Sequence, residues 1–361
     1  MKKTHYLTPG PSELYFTTAN HIQTALKNGV GSISHRSTAF KEIYAETVRN
    51  IRELLQIPSD YHIVFTSSAT EIWERLIQNC SEENTFHLVN GAFSQRFYET
   101  ALQQGRNAQK QEAPFGSGFD VAEIEIPNNT EMLCVTPNET SSGAILSSED
   151  IYCLRAKNPD VILAVDAVSV VPYLELDISK VDSLFFSVQK GMGLPAGLGV
   201  WIFNDKCVRK AKEIQAKGKS IGLYRAIPVL LEKSFKNQTF ETPNVVAIYT
   251  LGKVCGDMLE KGIATIRQET NYKAAFLYNC FEEHTAFELL VGNEKHRSKT
   301  VIVIKSVKYS SREVIEKLEK HGILIGTGYG KQQETQIRIA NFPTHSKELI
   351  LHLIDLINEL F

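Results

Sequence analysis

The chain has 361 residues, 43% of them hydrophobic and 22% charged, with a formal net charge of −2. That length and mix suit two packed domains around a real core, and the near-neutral balance removes the electrostatic case for nucleic acid or an anionic membrane as partner. No apolar run approaches the ~20 residues that span a bilayer, no leader pattern follows Met1-Lys2-Lys3, and the six cysteines show no CxxC spacing, so free thiols and a cytoplasmic location are expected.

In chain order, residues 62–66, 86–89, 132–136, 161–165, 183–187 and 199–203 are short β-branched or aromatic runs of the kind that form buried strands. Between them, 71–79, 95–104 and 147–156 carry helical periodicity or helix-start residues. This alternation predicts an α/β fold with a mainly parallel, doubly wound sheet. From about Pro243 to Glu283 the pattern becomes long helix, interrupted near Gly262. Strands at 301–304, 323–325 and 336–340 then surround a helix at 311–321, a compact α+β unit. The expected division is a large domain over 16–255 and a small one over 256–361, with segment 1–15 packing near the latter.

Nucleotide and metal motifs fail. The glycine-rich run Gly326-Thr327-Gly328-Tyr329-Gly330-Lys331 sits late and lacks GxGxxG spacing, and Gly218-Lys219-Ser220 ends like a P-loop that never began, so both are expected to be turns. The ten histidines form no HExxH and no Cys/His cluster.

The informative residues stand at strand ends, where open α/β sheets bind their ligands. Asp166 directly follows an apolar strand; alone it reads as a helix cap as readily as a functional carboxylate. Lys190 follows the next strand and precedes Gly191, Gly193, Pro195, Gly197 and Gly199, a glycine density that implies close backbone approach. Thr66-Ser67-Ser68-Ala69-Thr70-Glu71 leads from strand to helix through small residues, where free N–H groups and the helix dipole make a phosphate cradle. Pro137-Asn138-Glu139-Thr140 brings hydroxyl and amide groups after another strand. A cradle, a carboxylate, a lysine and a hydroxyl together are what pyridoxal phosphate requires.

The spacing Asp166…Gln189-Lys190 and the run from Gln189 through Pro195-Ala196-Gly197-Leu198 resemble class V aminotransferases. Within that class, Ile33-Ser34-His35-Arg36, residues 54–65, Pro137-Asn138-Glu139-Thr140 and Glu241-Thr242-Pro243 are similar to the phosphoserine aminotransferase family. The resemblance implies a fold-type I homodimer with shared active sites and a seven-stranded sheet in the large domain. It implies ping-pong transamination between phosphoserine, or 3-phosphohydroxypyruvate, and glutamate/2-oxoglutarate in serine biosynthesis. It also implies site roles. Lys190 would be the lysine that binds the cofactor and Asp166 the partner of its ring nitrogen. Thr140 would bond the phenolic oxygen, and Phe93 would stack on the ring. Gln189, Ala69, Thr70 and, across the dimer interface, Thr242 would hold the cofactor phosphate. Arg338 would grip the substrate carboxylate, and His35 and Arg36 from the neighbouring subunit would read the substrate phosphate. An ungapped count puts Glu71 where that family has a phosphate-binding arginine, and Glu241 stands where it has asparagine. Glu71 should repel a phosphate unless Arg75, four residues on, pairs with it. Leu7-Thr8-Pro9-Gly10-Pro11, Asn138-Glu139-Thr140 and Asp166-Ala167-Val168-Ser169 look as much like alanine–glyoxylate or serine–pyruvate aminotransferases, so a small unphosphorylated substrate stays open. A cysteine desulfurase or lyase on the same fold would need a mobile C-terminal cysteine, and beyond Cys255 only Cys280 stands, inside a predicted helix. A cofactor-free scaffold would leave the joint presence of Lys190, Asp166 and Gln189 without a reason.

Overall fold

The computed structural model describes residues 4–361. Its centre is a seven-stranded sheet in the spatial order His62–Thr66, Gly199–Phe203, Ser183–Ser187, Ile162–Asp166, Met132–Val135, Asn84–Val89 and Asn107–Glu112. Six of these strands run parallel; Gly199–Phe203 alone is antiparallel to both of its neighbours.

Alternate residues of each strand supply two separate cores, as the period-2 geometry of a strand dictates. Phe65, Val165, Phe186 and Val200 face one layer, which the Thr38–Leu54 and Val245–Lys261 helices cover. Val64, Ala164, Phe185 and Trp201 face the other, under the helices Ala69–Cys80, Ala92–Gln103 and Asp205–Ala216. The sheet is thus buried on both sides, which is why its central strands read as continuous apolar runs.

Helix starts follow the local chemistry. Ser68 caps Ala69–Cys80 by accepting from the N–H of Glu71, and Ser147 with Asp150 forms a reciprocal capping box on Ser148–Lys157. Gly262, at φ +86°, ends Val245–Lys261 and opens Ile263–Glu282, the predicted interruption. A second sheet, in the order His5–Leu7, Ile323–Thr327, Gln336–Ala340, Val301–Ser306 and Phe287–Leu289, packs on the helices Ile263–Glu282, Ser311–Lys320 and Lys347–Leu360. Its N-terminal strand joins in parallel with Ile323–Thr327. The chain then crosses to the first sheet, where the N–H of Ser12 bonds the carbonyl of Gln189 and that of Tyr15 bonds the carbonyl of Gly193. No helix among the described residues is long and apolar enough to cross a membrane.

Candidate active site

Five parallel strands release their carboxyl ends around one cavity of about 200 Å³. From these ends come Ala69 and Thr70; Phe93; Thr136, Asn138 and Thr140; Asp166, Val168 and Ser169; and Ser187, Gln189 and Lys190. Pro9, Gly10 and Pro11 close it from the N-terminal crossing, and Tyr329 and Arg338 from the second sheet. A Cβ on Gly10 would lie 2.7 Å from Lys190 Cε, and φ there is +139°, so only glycine lets the crossing lie on the lysine.

Lys190 is buried and donates from Nζ to the hydroxyl of Thr140 at 3.1 Å. Burial brings its pKa down to about 8; Asp166 and Glu139 oppose that fall, and Arg338 adds to it. Asp166 is buried as well, and burial raises its pKa to about 6 against the stabilising effects of the Val168 N–H, the Trp73 indole and Lys190. The Trp73 Nε1–H donates to Oδ2 at 2.7 Å and the Val168 N–H to Oδ1 at 3.1 Å. Both carboxylate oxygens are thereby fixed, which a simple helix cap would not need. Phe93 stands 5.1 Å, centroid to Nζ, from Lys190, close enough for a cation–π contact.

At the far end, the Ala69–Cys80 helix opens into the cavity. Its first N–H is already taken: Ala69 donates to the hydroxyl of Ser187 at 2.7 Å. The N–H and hydroxyl of Thr70 have no partner among the described residues, and neither does the buried Oε1 of Gln189. The groups left open at this end are therefore those of Thr70 and Gln189, not the Ala69 amide. Arg338 donates from Nε to the carbonyl of Thr327 at 2.7 Å and from Nη1 to that of Thr140 at 3.4 Å.

His35, Arg36 and Thr242 do not line this cavity. Thr242 is exposed, while Arg36 spends its guanidinium on Gln238 Oε1 and on the carbonyls of Thr239 and Phe240. Burial and the Arg36 charge lower the His35 pKa, with Glu241 pulling the other way. Glu71 and Arg75 do not pair. Arg75 turns to Gln78 at 2.9 Å and lies 3.9 Å from Glu74. Glu71 instead holds Arg225, Nε to Oε1 at 3.2 Å, and accepts from both the N–H and the hydroxyl of Ser67. Two partners outside the helix satisfy Glu71 better than a solvent-facing neighbour on the same helix could.

Within the Lys190 glycine run, Gly191 and Gly193 lie against backbone: a Cβ on Gly191 would lie 2.1 Å from the carbonyl oxygen of Val171 and one on Gly193 2.4 Å from the Tyr15 nitrogen. The Gly326–Lys331 segment, expected to be a plain turn, ends a strand and carries Tyr329 across the cavity mouth, with the Arg338 guanidinium 5.5 Å and the Phe93 ring 5.2 Å from its ring. Sequence reasoning also passed over Trp73 and Glu139. The fully buried Glu139 carboxylate accepts from the N–H groups of Phe93, Ser94 and Ser141 and from the hydroxyls of Ser94 and Ser141. It caps the Ala92–Gln103 helix and so aims Phe93 at Lys190.

The aminotransferase class-V family profile matches residues 8–335. The chain belongs to that family. This aminotransferase is 50% identical to a phosphoserine aminotransferase from Cytophaga hutchinsonii, with a TM-score of 0.98 over the whole of both chains. A phosphoserine aminotransferase from Corynebacterium glutamicum is 26% identical over 348 residues, 92% of this chain and 88% of its own. An alanine–glyoxylate aminotransferase from Nostoc, at 20% identity, shares the fold with a TM-score of 0.84 over 99% of this chain and 95% of its own. This aminotransferase is a pyridoxal-phosphate-dependent transaminase of fold type I. The cavity suits that cofactor on its own terms. A lysine and a carboxylate held by two hydrogen bonds stand at one end, and the free Thr70 donors, with the Gln189 amide beside them, at the other. Cys280, the residue a desulfurase would need, lies in the Ile263–Glu282 helix beside Asn358 and away from the cavity.

Proposed function

We propose that this aminotransferase exchanges an amino group between phosphoserine and 2-oxoglutarate, releasing 3-phosphohydroxypyruvate and glutamate, as the final nitrogen-transfer step toward serine. The observation that supports it most is the convergence of Lys190, Asp166, Thr140, Gln189, Thr70 and Arg338 on one cavity, in a chain 50% identical, end to end, to a phosphoserine aminotransferase. When bound, pyridoxal phosphate supplies an aldehyde for condensation with amines and a ring that withdraws electrons from the substrate α-carbon.

This chain's residues do the rest. With its pKa near 8, Lys190 Nζ is unprotonated often enough at neutral pH that it would hold the cofactor's aldehyde carbon, and as a free amine it is the base placed to take a proton from the substrate α-carbon. Asp166, near 6, is mostly ionised at pH 7 and would keep a proton on the cofactor's ring nitrogen. Thr140, already bonded to Lys190 Nζ, would donate to the cofactor's phenolic oxygen, and Phe93 would pack on its ring. Thr70, Gln189 and Ser187 hold the phosphate, with the Ala69 amide acting through Ser187. Arg338 offers its fork to the substrate carboxylate.

His35, Arg36 and Thr242, all outside the chain's own cavity, serve the site of a second copy, so the working unit is a homodimer with shared sites. Residues 16–255 form the large domain and 256–361 the small one, and the enzyme acts in the cytoplasm. The test is kcat/KM for phosphoserine, serine and alanine as donors, with 2-oxoglutarate and glyoxylate as acceptors. Phosphoserine with 2-oxoglutarate should lead by at least ~100-fold, the scale of a lost charge-assisted anchor. Equal turnover of serine or alanine would replace this reading with the small-substrate one.

A further inference from the structure

The two carboxylates that break the family pattern, Glu71 and Glu241, meet on one buried side chain. Arg225 is 4% exposed. Its Nε lies 3.2 Å from Glu71 Oε1 and its Nη2 lies 2.8 Å from Glu241 Oε1. Nη1 donates to the carbonyl of Phe65 at 2.8 Å, and Nη2 to the hydroxyl of the adjacent Tyr224 at 3.3 Å.

Apart from Tyr224, every partner belongs to one of two functional segments. Phe65 and Glu71 bracket the strand-to-helix turn that presents Thr70, and Glu71 braces the inside of that turn through Ser67. Glu241 closes the loop whose earlier residues, 238–240, Arg36 grips, and it immediately precedes the exposed Thr242. A guanidinium committed on both flanks cannot reach for a ligand. A planar fork can, however, fix two segments at one spacing, which a lysine's point charge cannot.

We propose that Arg225 is a positioning residue that ties the phosphate cradle of one site to the loop that presents Thr242 to the other. The placement of Thr242 for the adjoining subunit then depends on the geometry of this chain's own cradle, and Glu241 acts through Thr242. The inference rests on the reading of Thr242 as a phosphate ligand donated across the dimer.

Removing Arg225 outright would strand two partly buried carboxylates and risks unfolding; the test therefore uses milder variants. The rate of pyridoxal phosphate release from the holoenzyme, trapped by an excess of an apo-acceptor protein, is measured for Glu241→Gln, Thr242→Ala, the double variant and Arg225→Lys, with the dimer checked by light scattering. Each single variant should release cofactor about tenfold faster, the effect of one misplaced charge-assisted bond. The double variant should release no faster than Thr242→Ala alone, because both changes remove the same contact. Multiplying effects in the double variant would overturn the link between Glu241 and Thr242 while leaving Thr242 a ligand. Wild-type release by Thr242→Ala would instead bring down the reading of Thr242, and this inference with it. Wild-type release by a folded Arg225→Lys would overturn the tie; should that variant fail to fold, Glu71→Gln, which cuts the cradle side of the same cluster, takes its place with the same two outcomes.

Discussion

Replacing Glu71 by arginine is the substitution that the sequence alone recommends, since it restores a cation where the phosphoserine family places one. The structure predicts the opposite result. Glu71 and Arg225 have side-chain exposures of 16% and 4%, so their attraction is little screened, and losing one partner of such a pair typically costs about 3–5 kcal/mol. Arg225 keeps Glu241, which returns part of that; against it stand the two lost Ser67 bonds and a new guanidinium beside an existing one. A net loss of about 3 kcal/mol is expected. With an unfolding entropy of about 2 cal/mol/K per residue, a chain this long should lose about 4 °C in Tm. Disturbing the turn before Thr70 should also weaken cofactor retention and raise, not lower, the KM for phosphoserine. The assay is a melting curve of the holoenzyme paired with KM at two ionic strengths. A lower KM at unchanged Tm would refute the argument and show that Glu71 repels substrate freely and that its pairing with Arg225 carries no weight.

Two further outcomes follow from the same geometry. Because burial holds Lys190 near pKa 8, cofactor uptake by the apo-protein should rise about tenfold per pH unit from pH 6.5 and level off above pH 8, with about a tenth of the amine free at pH 7; a rate still climbing at pH 9.5 would mark an ordinary lysine. The folded pKa lies below the unfolded value, so the unfolded chain holds more protons between pH 8 and 10.5, and Lys190 adds to apo-protein stability as pH rises through that window. Mixing inactive Lys190→Ala and Arg36→Ala subunits should restore activity, since one site of each heterodimer then carries both intact residues; no recovery in proven heterodimers would place Arg36 and Lys190 in the same site.

The parts of this structure legible from sequence are those where one local rule dominates. Four predicted strands, 62–66, 183–187, 199–203 and 336–340, fall on the observed residues because each is a mostly apolar run buried on both faces. The edge strand Asn107–Glu112 was invisible: its sequence is NAQKQE, and it forms only because Asn84–Val89 offers it an unpaired side. The Thr38–Leu54 helix was missed for another reason. Its buried stripe of Phe40, Tyr44, Thr47, Ile51 and Leu54 has good helical period but is diluted by charged residues on the exposed face. Lys190 and Asp166 were legible because a charged residue at the end of an apolar strand stands out. Trp73 was not, since an indole on an amphipathic helix looks like core until its N–H is found on Asp166. Arg225 is harder still: it lies 154 positions from Glu71 in sequence, and no local pattern announces the contact.

That long-range pair also changes what the two departures from the family mean. Read separately, Glu71 and Glu241 are two negative charges set against a phosphate. Read together, they are the jaws on one buried cation, and the cluster carries a single net negative charge in place of two. At the other end, Lys190 and Arg338 balance Asp166 and Glu139, so no surplus cation is left there to draw an anion. On the proposed reading the cofactor phosphate would be held by neutral donors, the helix N-terminus with Thr70, Ser187 and Gln189. The positive charge for any substrate phosphate has to come from outside this chain's cavity. In the proposed dimer Arg36 of a second copy would supply that charge, with His35, its pKa lowered, as a neutral hydrogen-bonding neighbour, and Arg36 is already braced against the same loop that Arg225 holds. Selectivity for phosphoserine should then depend on that loop more than on any residue within the cavity. Loosening it, with pyridoxal phosphate kept saturating so that cofactor loss does not enter, should lower kcat/KM for phosphoserine more than for alanine, whose recognition needs only Arg338 and the cofactor.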